Sequence, residues 1–397
     1  MTMCTLEPYT ARGTPTLPVV PEVTLGPIAH GGHVITHVDG RPVFVRHGLP
    51  GERVLIDITS TSGKVSRGEV RQVLEASPDR VVPPCEWAGV CGGCDFQHVG
   101  LAAQRRLKAQ VLIEAMAKFG HISLSDVVVQ AVPGDMTGLD WRTRMGWSRT
   151  AEDWGLRGFR SHTVVPIDTC LIAAHEISHP PVRSHPGDTA HSAVGTDGMS
   201  VTSKAGDSGE RVVHDVGGRR WRLRPGSFWQ VHRGAATLLQ ERVRELARAQ
   251  GEQCWWDLYA GAGLFAASLG ESVGEAGSVT AVEDSLDSLQ EARRALHDLP
   301  WVRLVHSNVL PWLRHRVAGG VSGVVLDPPR SGAGREVVDE LARLEIPRVV
   351  YVACDPVALA RDMRLFVEHG YGLDHIEAWD LFPMTHHFEV IAVLTRA

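Results

Sequence analysis

The sequence predicts an α/β protein: a doubly wound, mostly parallel sheet in its carboxyl-terminal part, preceded by a small β-barrel and a central, mainly β region. Three observations predict this. Apolar strand-like runs alternate with helical segments from about Phe228 to the end; five short alternating stretches crowd Val23 to Ala76; and between them one helical segment leads into basic, aromatic-rich strands. A chain of 397 residues is too long for one ordinary core, so several units are expected. With 43% hydrophobic and 22% charged residues it reads as a soluble globular protein, and no run approaches the roughly 18 apolar residues of a membrane span. Met1-Thr2-Met3-Cys4 has neither the basic start nor the apolar core of a secretory signal, so a cytoplasmic location is expected. The formal net charge of -6 argues against a general coat for polyanions but leaves room for a local basic face.

Residues 1–22 are rich in Pro and Thr without period and read as a disordered leader. The barrel is expected over 23–80, with strands Val23 to Leu25, Val34 to Val38, Arg41 to Val45, Arg53 to Thr59 and Lys64 to Leu74. Asp39-Gly40 supplies a hairpin turn. Five short strands in so little chain suggest a closed barrel of the oligonucleotide-binding kind, with Arg41, Arg46, Arg53, Lys64, Arg67 and Arg71 as a phosphate-facing side. The central region is expected over 81–227. It holds a helix over 102–119, basic strands around Trp141 to Met145 and Gly155 to Arg160, and a Ser-, Gly- and His-rich stretch at about 180–210 that reads as a flexible insertion.

Three of the seven cysteines lie within ten residues, Cys85, Cys91 and Cys94, in a Gly-rich loop. In a reducing compartment such clustering points to a metal or cluster site rather than to disulfides. Three thiolates need a fourth ligand. Cys170 is the best candidate, since Cys4 lies in the leader and Cys254 opens an apolar strand; His98 keeps a zinc reading open.

In the carboxyl-terminal domain, 228–397, strands are expected at Gln253 to Leu258, Ser278 to Glu283, Val302 to His306, Gly323 to Leu326, Arg348 to Val352, Gly372 to Asp380 and Phe388 to Thr395. The last two lack a helix between them and suggest an antiparallel edge hairpin. Ligands in open α/β sheets sit at the carboxyl ends of strands. There, Gly261 and Gly263 let a ligand approach the backbone, and Glu283, about 20 residues on, suits ribose hydroxyls. Ala266 replaces the third glycine of a dinucleotide fingerprint, which leans toward an adenosyl ligand without a pyrophosphate. Asp327-Pro328-Pro329-Arg330 makes a rigid charged loop after the fourth strand. Cys354-Asp355-Pro356 ends the fifth. Alone, such a cysteine is an ordinary core thiol.

Taken with Phe228-Trp229-Gln230-Val231, Asp257 to Gly263 and His386-His387-Phe388-Glu389, these motifs resemble the S-adenosylmethionine-dependent RNA 5-methyluridine methyltransferases along nearly the whole chain. The resemblance implies a class I methyltransferase domain, a leading TRAM barrel, and a [4Fe-4S] cluster on Cys85, Cys91, Cys94 and Cys170 as in the 23S rRNA branch, with zinc as the alternative. It implies Cys354 as the nucleophile that adds to uracil C6 and Glu389 as the base that removes the C5 proton. Gln230, Tyr259, Gly261, Gly263, Glu283, Asn308 and Asp327 would surround the cofactor or the target base. The implied partner is RNA, 23S rRNA before tRNA, and nothing requires more than a monomer.

This chain departs from the family pattern at Asp355, where Asn is usual, at Ala260 and Ala262, and at Asn308, where an acid is usual. Rivals are an exocyclic-amine methyltransferase, whose related loop carries an aromatic where Arg330 stands, and a non-catalytic RNA-binding iron-sulfur protein, which leaves Cys354 and Glu389 without a task. From their distance in sequence, the metal-site cysteines are expected to act on folding and RNA affinity more than on chemistry.

Overall fold

The computed structural model describes residues 20–181, 189–204 and 209–396. Most of the expected leader lies outside these residues, and Glu22 already belongs to a strand. The chain divides into two compact units, Met1–Pro27 with His33–Ser77, and Ile28–Gly32 with Pro78–Ala397.

The first unit is built from strands Glu22–Thr24, His33–Val38, Arg41–Arg46, Arg53–Ser62 and Val65–Glu75. Asp39 and Gly40 both take positive φ, 50° and 74°, the backbone of a primed hairpin turn. The two longest strands pair antiparallel, and Val65–Glu75 runs parallel to Arg41–Arg46. The sheet closes where Gly26 N–H donates to Ile35 O (2.8 Å) and Thr36 Oγ1 donates to Thr24 O (3.0 Å). Val34, Val43, Val45, Val54 and Ile56 fill the interior. The expected phosphate-facing side is only partly available. Arg46 pairs with Glu69, Arg53 with Glu22 and Glu75, and Arg71 with Asp57, because acidic residues occupy the neighbouring strands. Arg41, Lys64 and Arg67 stay exposed.

The second unit contains the large sheet. Its strands are β1 (Cys254–Leu258), β2 (Ser278–Glu283), β3 (Val302–His306), β4 (Gly323–Leu326), β5 (Arg348–Ala353), β6 (Tyr371–Asp380) and β7 (Glu389–Arg396). Their order is β3-β2-β1-β4-β5-β7-β6, with the short strand Val129–Ala131 added beside β6. β1 to β5 are parallel and β7 antiparallel to β5 and β6. The apolar runs of β4 and β5 are buried on both faces, as a covered parallel sheet requires.

The central region and this sheet form one unit. Five antiparallel strands run in the order Val164–Pro166, Trp154–Arg157, Arg144–Arg149, Thr189–Val194, Ser200–Lys204. The last two correct the reading of 180–210 as a flexible insertion. Their polar sequence hides a period of two in which Ala190, Ser192 and Val194 are buried, and their hairpin extends the sheet through Arg144–Arg149. Residues 182–188 and 205–208 of that stretch lie outside the described ones. The basic, aromatic strands are also less available to a ligand than their composition suggests. Trp141 and Trp147 are core, and buried Arg144 donates to the carbonyls of Arg224, Pro225 and Ser227.

Helix Leu101–Ala115, ending in a π turn at Met116–Gly120, carries the join. Its Lys108 is buried and meets buried Asp380, at the end of β6, at 2.5 Å, and also donates to Phe382 O. Burial pulls the ammonium pKa down while Asp380 works to keep it charged. Removing one member strands the other charge in the core. Lys108→Ala should therefore cost about 3 to 5 kcal/mol in urea unfolding, and the double change Lys108→Met with Asp380→Leu should cost clearly less; equal losses would mean the pairing does not matter.

Candidate active site

Strand register builds the site. Ala353 of β5 pairs with Val390 of β7, so the next position along each brings Cys354 alongside Glu389. Leu326 of β4 pairs with Tyr351, and Asp327 follows it at the same edge. Because β7 is antiparallel, its first residue lies at the edge where β4 and β5 end. Cys354 is half-buried, Glu389 is buried and Arg330 is exposed.

The electrostatics confirm the proximity. Burial, with Glu389 and Asp327 adding their charge, pushes the Cys354 thiol up to about 12, while Arg330 pulls the other way. Burial and Asp327 hold Glu389 well above the usual carboxylate range, again opposed by Arg330. Asp355 is held below its ordinary value. Burial opposes this, but His30 Nε2, 3.2 Å away, and the amides of Ala358 and Val357 outweigh it. Asp355 thus caps helix Pro356–Glu368, a task Asn also performs, and the ion pair with His30 is what the acid adds.

Beside this edge, Tyr259 and Gly261 take left-handed φ of 65° and 54°, turning the backbone sharply after β1. Gly263 is also left-handed, and a Cβ there would meet the Leu296 side chain at 2.8 Å. Glu283 accepts from Gly261 N–H and Ser285 N–H, both at 2.8 Å. Burial raises the Glu283 pKa despite these donors. Asp257 is fully buried; one oxygen accepts from Ala266 N–H (2.7 Å) and the other has no partner. Burial carries Asp257 up to about 8 and Asp327 up to about 7. Asn308 is exposed, next to Ser307, whose N–H donates to Glu283 O. Tyr259, Gly261, Glu283, Asn308, Asp327, Cys354 and Glu389 therefore share one edge of the sheet. Gln230 instead lines a cavity of about 250 Å³ with Thr143, His214, Trp229 and His232.

Burial raises the pKa of four carboxyl groups at this edge, and a cationic ligand would favour their charged forms. A sulfonium with an ammonium group fits this donor set, and the orphaned Asp257 oxygen marks where protein donors run out. Sequence reasoning passed over Asp257 as a site residue, although it opens the quoted loop motif. It also gave no task to His386 and His387, whose rings lie 3.9 Å apart.

The cysteines converge as well. Cys91 feels Cys170 and Cys85, and Cys94 feels Cys170, Cys91 and Cys85. Burial first, and then this mutual repulsion, pushes the Cys94 thiol up to about 12 and raises Cys91 and Cys170. A cation that takes thiolates would release those protons, but among the described residues no three cysteine sulfurs lie within 4.8 Å of one another, a spacing wider than a single tetrahedral ion gathers and open to a cluster. Gly92 permits the loop: a Cβ there would fall 2.8 Å from Arg157 O, where Gly92 N–H donates.

Residues 20–70 match the TRAM domain, and residues 319–397 match the tRNA (Uracil-5-)-methyltransferase family. An uncharacterized RNA methyltransferase of Streptomyces avermitilis is 37% identical, covering 95% of this chain and 98% of that protein. Another from Bifidobacterium longum is 35% identical, covering 94% and 96%. The structure of the Pyrococcus abyssi tRNA (uracil-54, C5)-methyltransferase with S-adenosyl-L-homocysteine matches with a TM-score of 0.70 over 94% of this chain and 99% of that one, at 21% identity, and so shares the fold. By its kinship along nearly the full length, the chain belongs to the TRAM-containing RNA uracil-5-methyltransferase family of S-adenosylmethionine-dependent enzymes.

Proposed function

We propose that this enzyme methylates C5 of a specific uridine in RNA, 23S rRNA before tRNA, through a covalent bond between Cys354 and C6. The observation that carries the reading is the register that sets Cys354 beside Glu389 at the carboxyl edge, with Asp327 and Arg330 close enough to act on both. An exocyclic-amine methyltransferase needs neither group, and a binding protein needs no such pair. The preference for 23S rRNA rests on the cysteine set that accompanies the barrel.

Bound S-adenosylmethionine supplies an electrophilic methyl on a sulfonium. Asp257, Glu283 and Asp327 line the edge that would hold it, with Gly261 and Gly263 giving close backbone approach; Tyr259 and Asn308 flank it, and Gln230 lines the cavity beside Trp229 and His232. Uracil C5 is a poor nucleophile until C6 is attacked. Cys354 forms the S–C6 bond, which moves electron density to C5 for methyl transfer. Glu389 then takes the C5 proton, the freed pair restores the C5–C6 double bond, and the Cys354 thiolate leaves. Burial makes Glu389 basic enough for a carbon-bound proton, and Arg330 favours the thiolate. The target base must be extruded from its stack, which the barrel and the central region would assist by holding the flanking strand. Cys85, Cys91, Cys94 and Cys170 would hold a [4Fe-4S] cluster, with zinc as the alternative.

Cys354→Ala should abolish methylation while cofactor binding persists, and Glu389→Gln should leave a covalent RNA adduct on denaturing gels. Absence of any Cys354-dependent band with 5-fluorouridine RNA sinks the mechanism. Primer extension on RNA from cells lacking the enzyme locates the uridine, and a site in tRNA would replace the 23S assignment.

The raised carboxylates also set a pH dependence. Their folded pKa values lie above the unfolded ones, so the free enzyme binds more protons than the unfolded chain, and this contribution to stability declines as pH rises from about 4 toward the folded values near 7 and 8. A cationic cofactor favours their ionised forms. Its affinity should rise between pH 6 and 8, with proton release visible in calorimetry across buffers of different ionisation enthalpy; a flat profile would remove these carboxylates from the cofactor site. Anaerobically purified protein should contain iron and acid-labile sulfide, about four of each per chain, whereas zinc without sulfide would select the alternative.

A further inference from the structure

The segment between β6 and β7, residues 381–388, delivers Glu389, and it is held by the loop that follows Cys94. Met384 has a left-handed φ of 64°, a conformation that a non-glycine residue keeps only where its surroundings enforce it. The surroundings do so. Met384 O accepts from Asp95 N–H (3.0 Å) and Phe96 N–H (2.9 Å), and Met384 N–H donates to buried Gln104 Oε1 (2.8 Å). One residue of separation later, His386 Nδ1 meets Asp95 Oδ2 at 2.6 Å. The His386 ring packs on His387, which shares Arg330 as a charged neighbour with Glu389 and Cys354. Thr385 Oγ1 takes the His387 N–H and donates to Phe382 O.

We infer that Asp95 is a positioning residue for Glu389: by clasping His386 and the strained turn at Met384 it fixes where the base stands over the reacting C5. This rests on the proton-abstraction role proposed above for Glu389. In the step concerned, the C5–H bond breaks and its proton passes to Glu389. Its electron pair becomes part of the C5–C6 double bond, and the C6–S bond releases the Cys354 thiolate. Steps before it, formation of the S–C6 bond and methyl transfer, do not need Glu389 in place. The loop that carries Cys94 thus reaches the chemistry, although some 290 residues separate Asp95 from His386 in sequence.

The two halves of the cycle can be read apart. With 5-fluorouridine RNA there is no C5 proton to remove, so a methylated adduct accumulates and reports only the early steps. With ordinary uridine RNA, turnover also requires Glu389. Asp95→Ala should form the 5-fluorouridine adduct at a rate within about twofold of the unaltered enzyme, yet slow turnover on uridine RNA by up to about 100-fold and leave a methylated covalent adduct there. Asp95→Asn, whose side-chain oxygen still accepts from His386, should restore most of the turnover. Equal slowing of both reactions, or full turnover by Asp95→Ala, overturns the positioning role, as does Asp95→Asn behaving no better than Asp95→Ala at matched thermal stability. Failure of the unaltered enzyme to form the 5-fluorouridine adduct instead overturns the covalent mechanism, and the inference with it.

Discussion

The antiparallel pairing of β7 against β5 is the constraint on which this site depends. Parallel strands all bring their carboxyl ends to one edge, so a sheet of that kind can gather Glu283, Asp327 and Cys354 there without special devices. A residue at the start of a further parallel strand would lie at the opposite edge. By reversing direction, β7 starts where the others stop, and the pairing of Ala353 with Val390 sets Glu389 against Cys354 to within one residue. A slip by one position would turn Glu389 to the other face of the sheet. The unbroken apolar run Val390 to Leu394, buried on both faces, makes that slip costly.

Reversal requires a connection that turns inside the protein, and residues 381–388 are that connection. A buried loop leaves backbone donors and acceptors that must find partners. Here they find them on the helix Leu101–Ala115 and on the loop after Cys94: Gln104, Lys108, Asp95 and Phe96 satisfy the backbone of Phe382 and Met384. The central region is therefore part of the catalytic unit in a mechanical sense, which accounts for its forming one compact body with the large sheet.

The sheet was legible in the sequence because buried parallel strands leave continuous apolar runs, and the strands found agree closely with those read from Gln253 to Thr395. Cys354, Asp327 and Glu283 were legible because each follows such a run. Long-range pairings were not. Asp95 with His386 and Lys108 with Asp380 join residues hundreds of positions apart, and no local pattern marks them. Composition misled where small residues formed the core side of a polar strand, as in Thr189–Val194, and where arginines served neighbouring acids or carbonyls, as with Arg53 and Arg144. Sequence distance likewise hid that the fold brings Asp95, next to Cys94, against His386 in the segment that leads into Glu389.

The same burial that shapes the edge also raises the pKa of its acid groups. Glu389 raises the pKa of Cys354, and Asp327 raises both. The thiol is held up at about 12 and the carboxyl above its usual range, so burial works against the charged form of each. Arg330 alone is too exposed to reverse this, since water screens it. A cation bound beside Asp327 would offset one of the acids that oppose the thiolate, and a base stacked over the edge would remove water that screens Arg330. On the proposed mechanism, activation of Cys354 then follows from assembly of cofactor and RNA on the sheet.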